Sequence, residues 1–207
     1  MEKIKKIPIS REVHADMETP LSVYRKLADS PYSYLFESVE GGDKWARYSL
    51  IGLPSKKIIK VNGNEVQIFE EEKLVETLET DNPLDYLKSL HASFSLKEIP
   101  GLPKFSGGLV GYFSYDCVRL IEKRLENSEP PDLLGTPDAL LMISEEVAVF
   151  DNLRNTISIV KIINKPKNIS NKRIINNVPP YDQTYHFLSL KKLFHIYLFF
   201  KKWNNGS

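Results

Sequence analysis

The residues that could carry out chemistry are few and lie far apart along the chain. The single cysteine, Cys117, has no histidine near it in the sequence, which favours a buried structural thiol over a nucleophile. His91 has no Cys, Asp or second His at the spacing of metal ligands, which favours a helix-surface residue. Residues 1–163 also lack paired carboxylates on a helix. We therefore predict no catalytic and no metal-binding residue in this chain.

Three glycines interrupt an apolar run that reads FSGGLVGYF, at Phe105–Phe113. The run lacks the G-x-G-x-x-G spacing, and no Lys-Ser/Thr pair follows its glycines, so a phosphate-binding loop is not indicated. A glycine within a strand leaves no side chain, so another backbone can approach it closely. We predict a structural role for these glycines at a tightly packed strand.

Composition favours a folded domain. The chain is 42% hydrophobic and 27% charged, which is enough apolar material for a core and argues against a disordered protein. A net charge of +1 indicates no nucleic-acid partner. One cysteine is typical of a reducing compartment, and no apolar run of about 18 residues suggests a membrane span. We expect a cytoplasmic location without a membrane segment.

Charge divides the chain into two parts. Of the 28 basic and 27 acidic residues, eight basic and one acidic lie in residues 164–207, which gives this segment a net charge of +7 and leaves −6 for residues 1–163. We predict one domain over 1–163 followed by an aberrant basic tail, either frameshifted or disordered. A basic amphipathic helix is the alternative for the tail, but apolar residues at 193–200 would occupy nearly all of its faces.

Three helices are predicted from their start signals. Thr19 and Asn82 can each cap a helix whose first residue is proline, and Ser114 can cap a third that runs to about Lys123. The apolar spacing predicts the inward-facing residues of the first and third helices, which are Leu21, Tyr24, Leu27 and Ala28 in the first and Val118, Leu120 and Ile121 in the third.

The remaining elements are predicted to be strands. Asn62–Asn64 is a turn signal between two strands at 57–61 and 65–69, because Asn and Gly tolerate positive φ. Asp138–Phe150 predicts two strands or one bent strand, and Thr156–Ile163 predicts a partner strand. Eight or nine strands and about three helices in this order favour an α+β fold of mostly antiparallel, sandwich-like sheets.

Four separated segments resemble the large, chorismate-binding subunit of anthranilate synthase. They are Tyr34–Glu40 (YLFESVE), Lys44–Gly52 (KWARYSLIG), Lys104–Asp116 (KFSGGLVGYFSYD) and Asp138–Leu153 (DALLMISEEVAVFDNL). Their order and spacing also fit, over roughly residues 10–163. The resemblance therefore implies the fold of the amino-terminal half of that subunit. The large subunit of aminodeoxychorismate synthase, a close relative that serves folate synthesis, is the alternative.

The resemblance implies that the full-length protein converts chorismate and ammonia into anthranilate and pyruvate in tryptophan biosynthesis. It implies Mg²⁺ as the cofactor of the full-length enzyme and a glutaminase subunit, component II, as the source of ammonia. The chorismate and magnesium residues of the family lie in the carboxy-terminal half, which nothing in residues 164–207 resembles. We therefore expect a truncated chain that is inactive by itself.

The resemblance also implies part of a feedback site for L-tryptophan. The Leu-Leu-Glu-Ser motif of the family matches Leu35–Ser38, with phenylalanine at the second position. By this match Glu37 and Ser38 would help to hold tryptophan, and Arg47 stands where a basic residue often lines the site. A structural reading stays open, in which Glu37 and Ser38 end a strand and Arg47 pairs with Asp43 at the surface.

Two other kinds of function stay open. The chain can be a free-standing, non-catalytic module that binds tryptophan or a partner, or it can be a fragment without function whose exposed apolar face favours aggregation. If the site is inherited, its remaining wall belongs to the other half, so we expect tryptophan to bind this chain only weakly.

Overall fold

A computed structural model describes residues 6–37, 47–94, 105, 107–125 and 134–164. Within these ranges the chain forms ten strands and two α-helices. The strands are β1 (Lys6–His14), β2 (Tyr34–Phe36), β3 (Tyr48–Gly52), β4 (Lys57–Asn62), β5 (Glu65–Glu70), β6 (Lys73–Glu79), β7 (Gly108–Phe113), β8 (Ala139–Ser144), β9 (Glu146–Asp151) and β10 (Thr156–Asn164). The helices are α1 (Pro20–Leu27), α2 (Pro83–Ser93) and two 3₁₀ turns, Tyr115–Leu120 and Lys123–Leu125.

The strands form two antiparallel sheets of five strands each. Sheet A has the order β1-β10-β9-β3-β2, and sheet B has the order β6-β5-β4-β8-β7. Every pairing in both sheets is antiparallel. The predicted α+β fold of antiparallel sheets is confirmed, with ten strands in place of eight or nine.

Apolar clusters show how the layers are stacked. Helix α1 buries Val23 and Ala28 against one face of sheet A, where Ile51 and Ile157 lie. Helix α2 and the first 3₁₀ turn cover the outer face of sheet B. A third cluster joins the two sheets, and it contains Tyr34 and Leu50 of sheet A with Ile58, Val110 and Met142 of sheet B. The two sheets therefore face each other between two helical layers.

One residue, Glu145, separates β8 of sheet B from β9 of sheet A, and we call the segment Ser144–Glu146 the corner. The Tyr34 hydroxyl hydrogen-bonds the Ser144 hydroxyl at 2.9 Å across the two sheets. The Ser55 hydroxyl donates to the carbonyl oxygen of Ile143 at 2.8 Å. Of the two alternatives predicted for Asp138–Phe150, two strands are therefore the correct one, and each strand belongs to a different sheet.

Local signals account for most element boundaries. The Thr19 hydroxyl accepts a hydrogen bond from the backbone N–H of Ser22 at 3.1 Å, and Asn82 accepts one from Asp85 at 3.3 Å, so both predicted caps are confirmed. Gly63 has φ +54° in the turn between β4 and β5, as the hairpin signal requires.

Two predicted helix faces are partly wrong. Leu21 is exposed, whereas Val23 is buried, because the buried arc of α1 is centred between Tyr24 and Leu27 and Leu21 lies at its margin. The third helix is a 3₁₀ turn without a side-chain cap from Ser114. Three residues per turn place Cys117 and Leu120 on one side, so Ile121 is 68% exposed rather than buried.

Two of the three glycines of the FSGGLVGYF run permit close backbone packing, as predicted, whereas a Cβ atom at Gly108 would meet nothing within 4 Å. A Cβ atom at Gly111 would overlap the carbonyl oxygen of Leu140 on the neighbouring strand β8. A Cβ atom at Gly107 would overlap the carbonyl oxygen of Ser144, at the corner. A side chain at either position would therefore push β7 away from β8.

The predicted domain boundary falls at the end of β10. This strand pairs with β1 along its whole length, from Thr156 opposite His14 to Asn164 opposite Lys6. The rest of the predicted tail, residues 165–207, lies outside the described residues, so the division into 1–163 and 164–207 stays a prediction. None of the helices in the described part of the chain is long and apolar enough to cross a membrane.

Candidate functional site

Strand pairing brings Glu37 and Arg47 to the same end of sheet A. Strands β2 and β3 are antiparallel neighbours, with Phe36 opposite Leu50. Glu37 directly follows β2, and Arg47 directly precedes β3. Because neighbouring antiparallel strands run in opposite directions, the end of one lies beside the start of the other. An acid and a base therefore flank the connection between these strands.

Ser38, the third predicted site residue, lies outside the described residues, as does Asp43, the alternative partner of Arg47. Glu37 is exposed. None of the ion pairs among the described residues joins Glu37 to Arg47. The two charges thus lie near the same connection without neutralising each other there.

Arg47 contacts Asp151, the last residue of β9. Its Nε lies 3.0 Å from both carboxylate oxygens, and its Nη2 lies 2.5 Å from Oδ2. The Arg47 side chain is 34% exposed and that of Asp151 only 8% exposed. This two-point contact fixes the orientation of the guanidinium group as well as its position.

The Asp151 carboxylate is itself held by the turn that follows it. Its Oδ1 accepts backbone hydrogen bonds from Leu153 at 3.0 Å and from Arg154 at 3.1 Å. Burial opposes ionisation of this carboxyl group, but the hydrogen bonds from Arg47 and from these two N–H groups outweigh it and lower the pKa of Asp151. Asp151 is therefore a charged and fixed partner.

Two further contacts tie the same turn to the start of β3. The backbone N–H of Asn152 donates to the carbonyl oxygen of Arg47 at 2.8 Å. The Asn152 side chain donates to the Ser49 hydroxyl at 3.2 Å. The Arg47 guanidinium also lies 5.0 Å from the centre of the Tyr48 ring. We call Arg47, Asp151 and Asn152 with these contacts the arginine tether.

The charges at this end of sheet A are complementary to those of a small zwitterion. The hydrogen bond from Arg47 to Asp151 raises the pKa of Arg47, which keeps the guanidinium charged. Glu37 offers a carboxylate for an ammonium group, and the residues that neighbour Glu37 and Arg47 along the chain include two exposed rings, Phe36 (51%) and Tyr48 (39%). A carboxylate, a guanidinium and exposed aromatic rings are the groups that an aromatic amino acid requires.

Asp151 is the residue that sequence reasoning missed. It lies between the predicted strands Asp138–Phe150 and Thr156–Ile163, and its distance from Arg47 along the chain hides their contact. One signal was available, because an aspartate at the end of a strand often accepts hydrogen bonds from the backbone of the next turn. That signal predicts a fixed carboxylate but not the arginine that it contacts.

The other residues considered for chemistry take structural positions. His91 is exposed in the last turn of α2. The Cys117 thiol lies 3.0 Å from the carbonyl oxygen of Asp138, and burial and the Asp138 charge raise its pKa, which opposes a nucleophilic role. Among the described residues no group of three or more His, Cys, Asp or Glu could hold a metal ion. The described residues therefore do not provide the set of ligands that Mg²⁺ requires.

No model of a known protein family matches the chain. Anthranilate synthase component 1 of Pseudomonas putida is 51% identical over 158 residues, which are 76% of this chain and 32% of that protein. The same protein of Neisseria meningitidis serogroup B is 48% identical over 158 residues, 75% of this chain and 32% of that protein. The crystal structure of anthranilate synthase component I from Streptococcus pneumoniae is 23% identical, with a TM-score of 0.42, over 87% of this chain and 39% of that one.

The chain spans about a third of the length of the curated relatives that it matches. Its identity to them is near 50% over 152 to 158 residues. The chain is therefore homologous to the amino-terminal portion of anthranilate synthase component 1.

Proposed function

We propose that this chain is the amino-terminal, ligand-binding part of an anthranilate synthase component 1 and serves tryptophan biosynthesis. Relatives that are 51% and 48% identical carry that name, which supports the proposal. The full-length protein would convert chorismate and ammonia into anthranilate and pyruvate. A glutaminase subunit would be its partner and the source of ammonia.

The chain by itself is proposed to be non-catalytic. The chorismate and magnesium residues would lie in the part of component 1 that this chain does not match, which is about two thirds of the relatives. A direct test supplies the full 207-residue chain with chorismate, ammonia and Mg²⁺ and follows anthranilate fluorescence. We expect no anthranilate above the uncatalysed rate, and turnover by the purified chain would contradict the proposal.

The ligand of this part is proposed to be L-tryptophan, bound at Glu37, Ser38 and Arg47. The single observation that carries this proposal is the position of Glu37 and Arg47 at the two ends of the β2–β3 connection, with the guanidinium fixed by Asp151. Glu37 would accept the ammonium group, Arg47 would bind the carboxylate, and Phe36 would contact the indole.

Binding to this chain alone is expected to be weak. Phe36 and Glu37 are exposed, so the described residues cover only one side of a bound indole. Affinity depends on how much of a ligand is removed from water, and small-molecule sites usually enclose most of the ligand. We expect a Kd on the order of 1 mM.

The binding test is a titration of the ¹⁵N-labelled 207-residue chain with L-tryptophan, followed by backbone NMR shifts. We expect saturable shifts at Phe36, Glu37 and Tyr48 and their loss in Glu37→Gln. Glu79→Gln, an exposed glutamate at the end of β6 in sheet B, is the matched control and should bind as the original chain does. Absence of saturable shifts would refute the site, and micromolar affinity would refute the proposal that most of the site lies elsewhere.

A further inference from the structure

We infer that Asp151 is a positioning residue that makes the Arg47 end of the site selective for a carboxylate. The inference rests on the proposed tryptophan site. Asp151 is far from Arg47 along the chain and lies at the end of β9 opposite the corner. Its role would be to control the binding of the ligand's carboxylate.

The contact uses only one edge of the guanidinium group. Asp151 accepts hydrogen bonds from Nε and Nη2 of Arg47, which together form the side edge of the group. Nη1 makes no hydrogen bond to any described residue. A guanidinium presents two edges that fit a carboxylate, and the described residues leave the edge formed by Nη1 and Nη2 open to a second carboxylate.

The carboxylate of Asp151 is fixed before any ligand arrives. The backbone N–H groups of Leu153 and Arg154 hold Oδ1, and the Asn152 N–H holds the carbonyl oxygen of Arg47. Arginine side chains lose substantial rotamer entropy when they are ordered. Because the tether has already ordered Arg47, a ligand carboxylate does not have to supply that part of the free energy.

Replacement of Asp151 by asparagine should therefore displace Arg47. The Asn Oδ1 can still accept from Leu153 and Arg154, which turns its NH₂ group towards the guanidinium. A donor then replaces the Oδ2 acceptor of Nη2–H, so the two-point contact is reduced to the single bond from Nε–H to Oδ1. The negative charge of Asp151 also repels a ligand carboxylate, and its removal alone would strengthen binding. The two effects have opposite signs, so the sign of the change in affinity shows which one is larger.

The test compares three ligands on the full chain and on Asp151→Asn by the NMR titration described above. L-Tryptophan and indole-3-propionate carry the carboxylate, whereas tryptamine lacks it. We expect Asp151→Asn to weaken both carboxylates about tenfold and to leave tryptamine unchanged. Glu12→Gln is the matched control, because Glu12 forms an exposed ion pair with Arg154 in the same turn, and it should change none of the three.

A measurement on the unaltered chain covers the case in which Asp151→Asn fails to fold. The Arg47 Nε–H resonance, assigned by its loss in Arg47→Lys, should be resolved and slow to exchange without ligand. L-Tryptophan should shift the Nη protons and leave Nε–H in place. An Nε–H in fast exchange with solvent would overturn the inference.

The outcomes separate the inference from the proposed function. If the unaltered chain binds none of the three ligands, the proposed site is wrong. If it binds L-tryptophan and Asp151→Asn binds equally well or more tightly, the site stands and the positioning role of Asp151 is overturned. Equal weakening of tryptamine would also overturn it, because a general loss of structure would explain that result.

Discussion

The two ends of strand β9 differ in their surroundings. At the corner, Val147 is fully buried, and Tyr34 reaches across from β2 to the Ser144 hydroxyl at 2.9 Å. At the other end, Asp151 contacts Arg47, whose side chain is 34% exposed, and the turn that follows is held by hydrogen bonds to charged and polar groups. Strand β9 thus connects the buried contacts near Ser144 to the polar, partly exposed contact between Arg47 and Asp151.

The difference shows where stability and binding reside. Apolar burial stabilises a fold in rough proportion to the area removed from water, so the apolar residues that flank the corner should stabilise the fold more than the polar end of β9 does. Partly exposed ion pairs contribute little, because water and salt screen them. The arginine tether therefore serves orientation more than stability, and substitutions at the two ends should separate the two effects.

The largest loss of stability is expected from Met142→Ala, in β8 two residues before the corner. Met142 is buried in the cluster that joins the sheets, with Tyr34, Ile58 and Val110. Its truncation leaves a cavity and should lower the free energy of unfolding by about 3 kcal/mol. Urea denaturation measures this value. A loss below about 0.5 kcal/mol, the usual size for surface substitutions, would show that the sheets are not packed there.

The second effect is a loss of stability at alkaline pH that depends on Tyr34. Burial raises the pKa of Tyr34 to about 12 from 10.0, and the hydrogen bond with Ser144 opposes this only partly. The folded state therefore keeps the proton that the unfolded chain loses, so stability falls as pH rises from about 10 to 12. A shift of this size corresponds to roughly 2–3 kcal/mol.

Tyr34→Phe is the matched comparison for this alkaline loss. The variant lacks the phenol, so its free energy of unfolding should fall less between pH 10 and pH 12 than that of the original chain. At neutral pH it should be less stable by about 1 kcal/mol, because the Ser144 hydroxyl loses its partner. Parallel pH profiles for the two chains would contradict the buried position of the phenol.

A smaller effect is expected from Asp151 at acid pH. Its pKa is lower in the folded chain than the ordinary value of 3.8, so its contribution is complete above that value and is lost as pH falls below it. Asp151→Asn should lose less stability than the original chain over this acid range. Circular dichroism of both chains from neutral pH downward measures the difference, and identical acid midpoints would count against the tether.

The smallest effect is expected from Glu12→Gln. Glu12 and Arg154 form an ion pair at 3.2 Å in which both side chains are about half exposed. Such pairs contribute little, so the free energy of unfolding should change by less than about 0.5 kcal/mol. Thermal unfolding at low salt measures it. A larger change would show that the turn after β9 contributes to stability as well as to orientation.

Sequence reasoning succeeded where neighbouring residues determine the structure. The cap at Thr19 and the turn at Gly63 depend on groups within three residues of each other, and both are confirmed. The close packing at Gly111 was also predicted, because only the absence of a side chain had to be noticed. Such features do not require knowledge of which strands are neighbours.

Sequence reasoning failed where strand order decides. The contact between Arg47 and Asp151 exists because β3 pairs with β9, and no local pattern indicates that pairing. The exposure of Ile121 has a different cause, because a 3₁₀ turn takes the place of the predicted helix. Of the candidate site, the sequence and its resemblance indicated Glu37, Ser38 and Arg47, whereas the partner that orients Arg47 became visible only in the fold.

The most direct test of the central claim, that the polar end of β9 forms part of an amino-acid site, is the map of NMR shifts that L-tryptophan causes in the 207-residue chain. The claim predicts saturable shifts confined to Phe36, Glu37, Arg47, Tyr48 and the turn after Asp151, with residues at the corner unchanged. Shifts that cluster at the corner or on α2, or no saturable shifts at all, would contradict it.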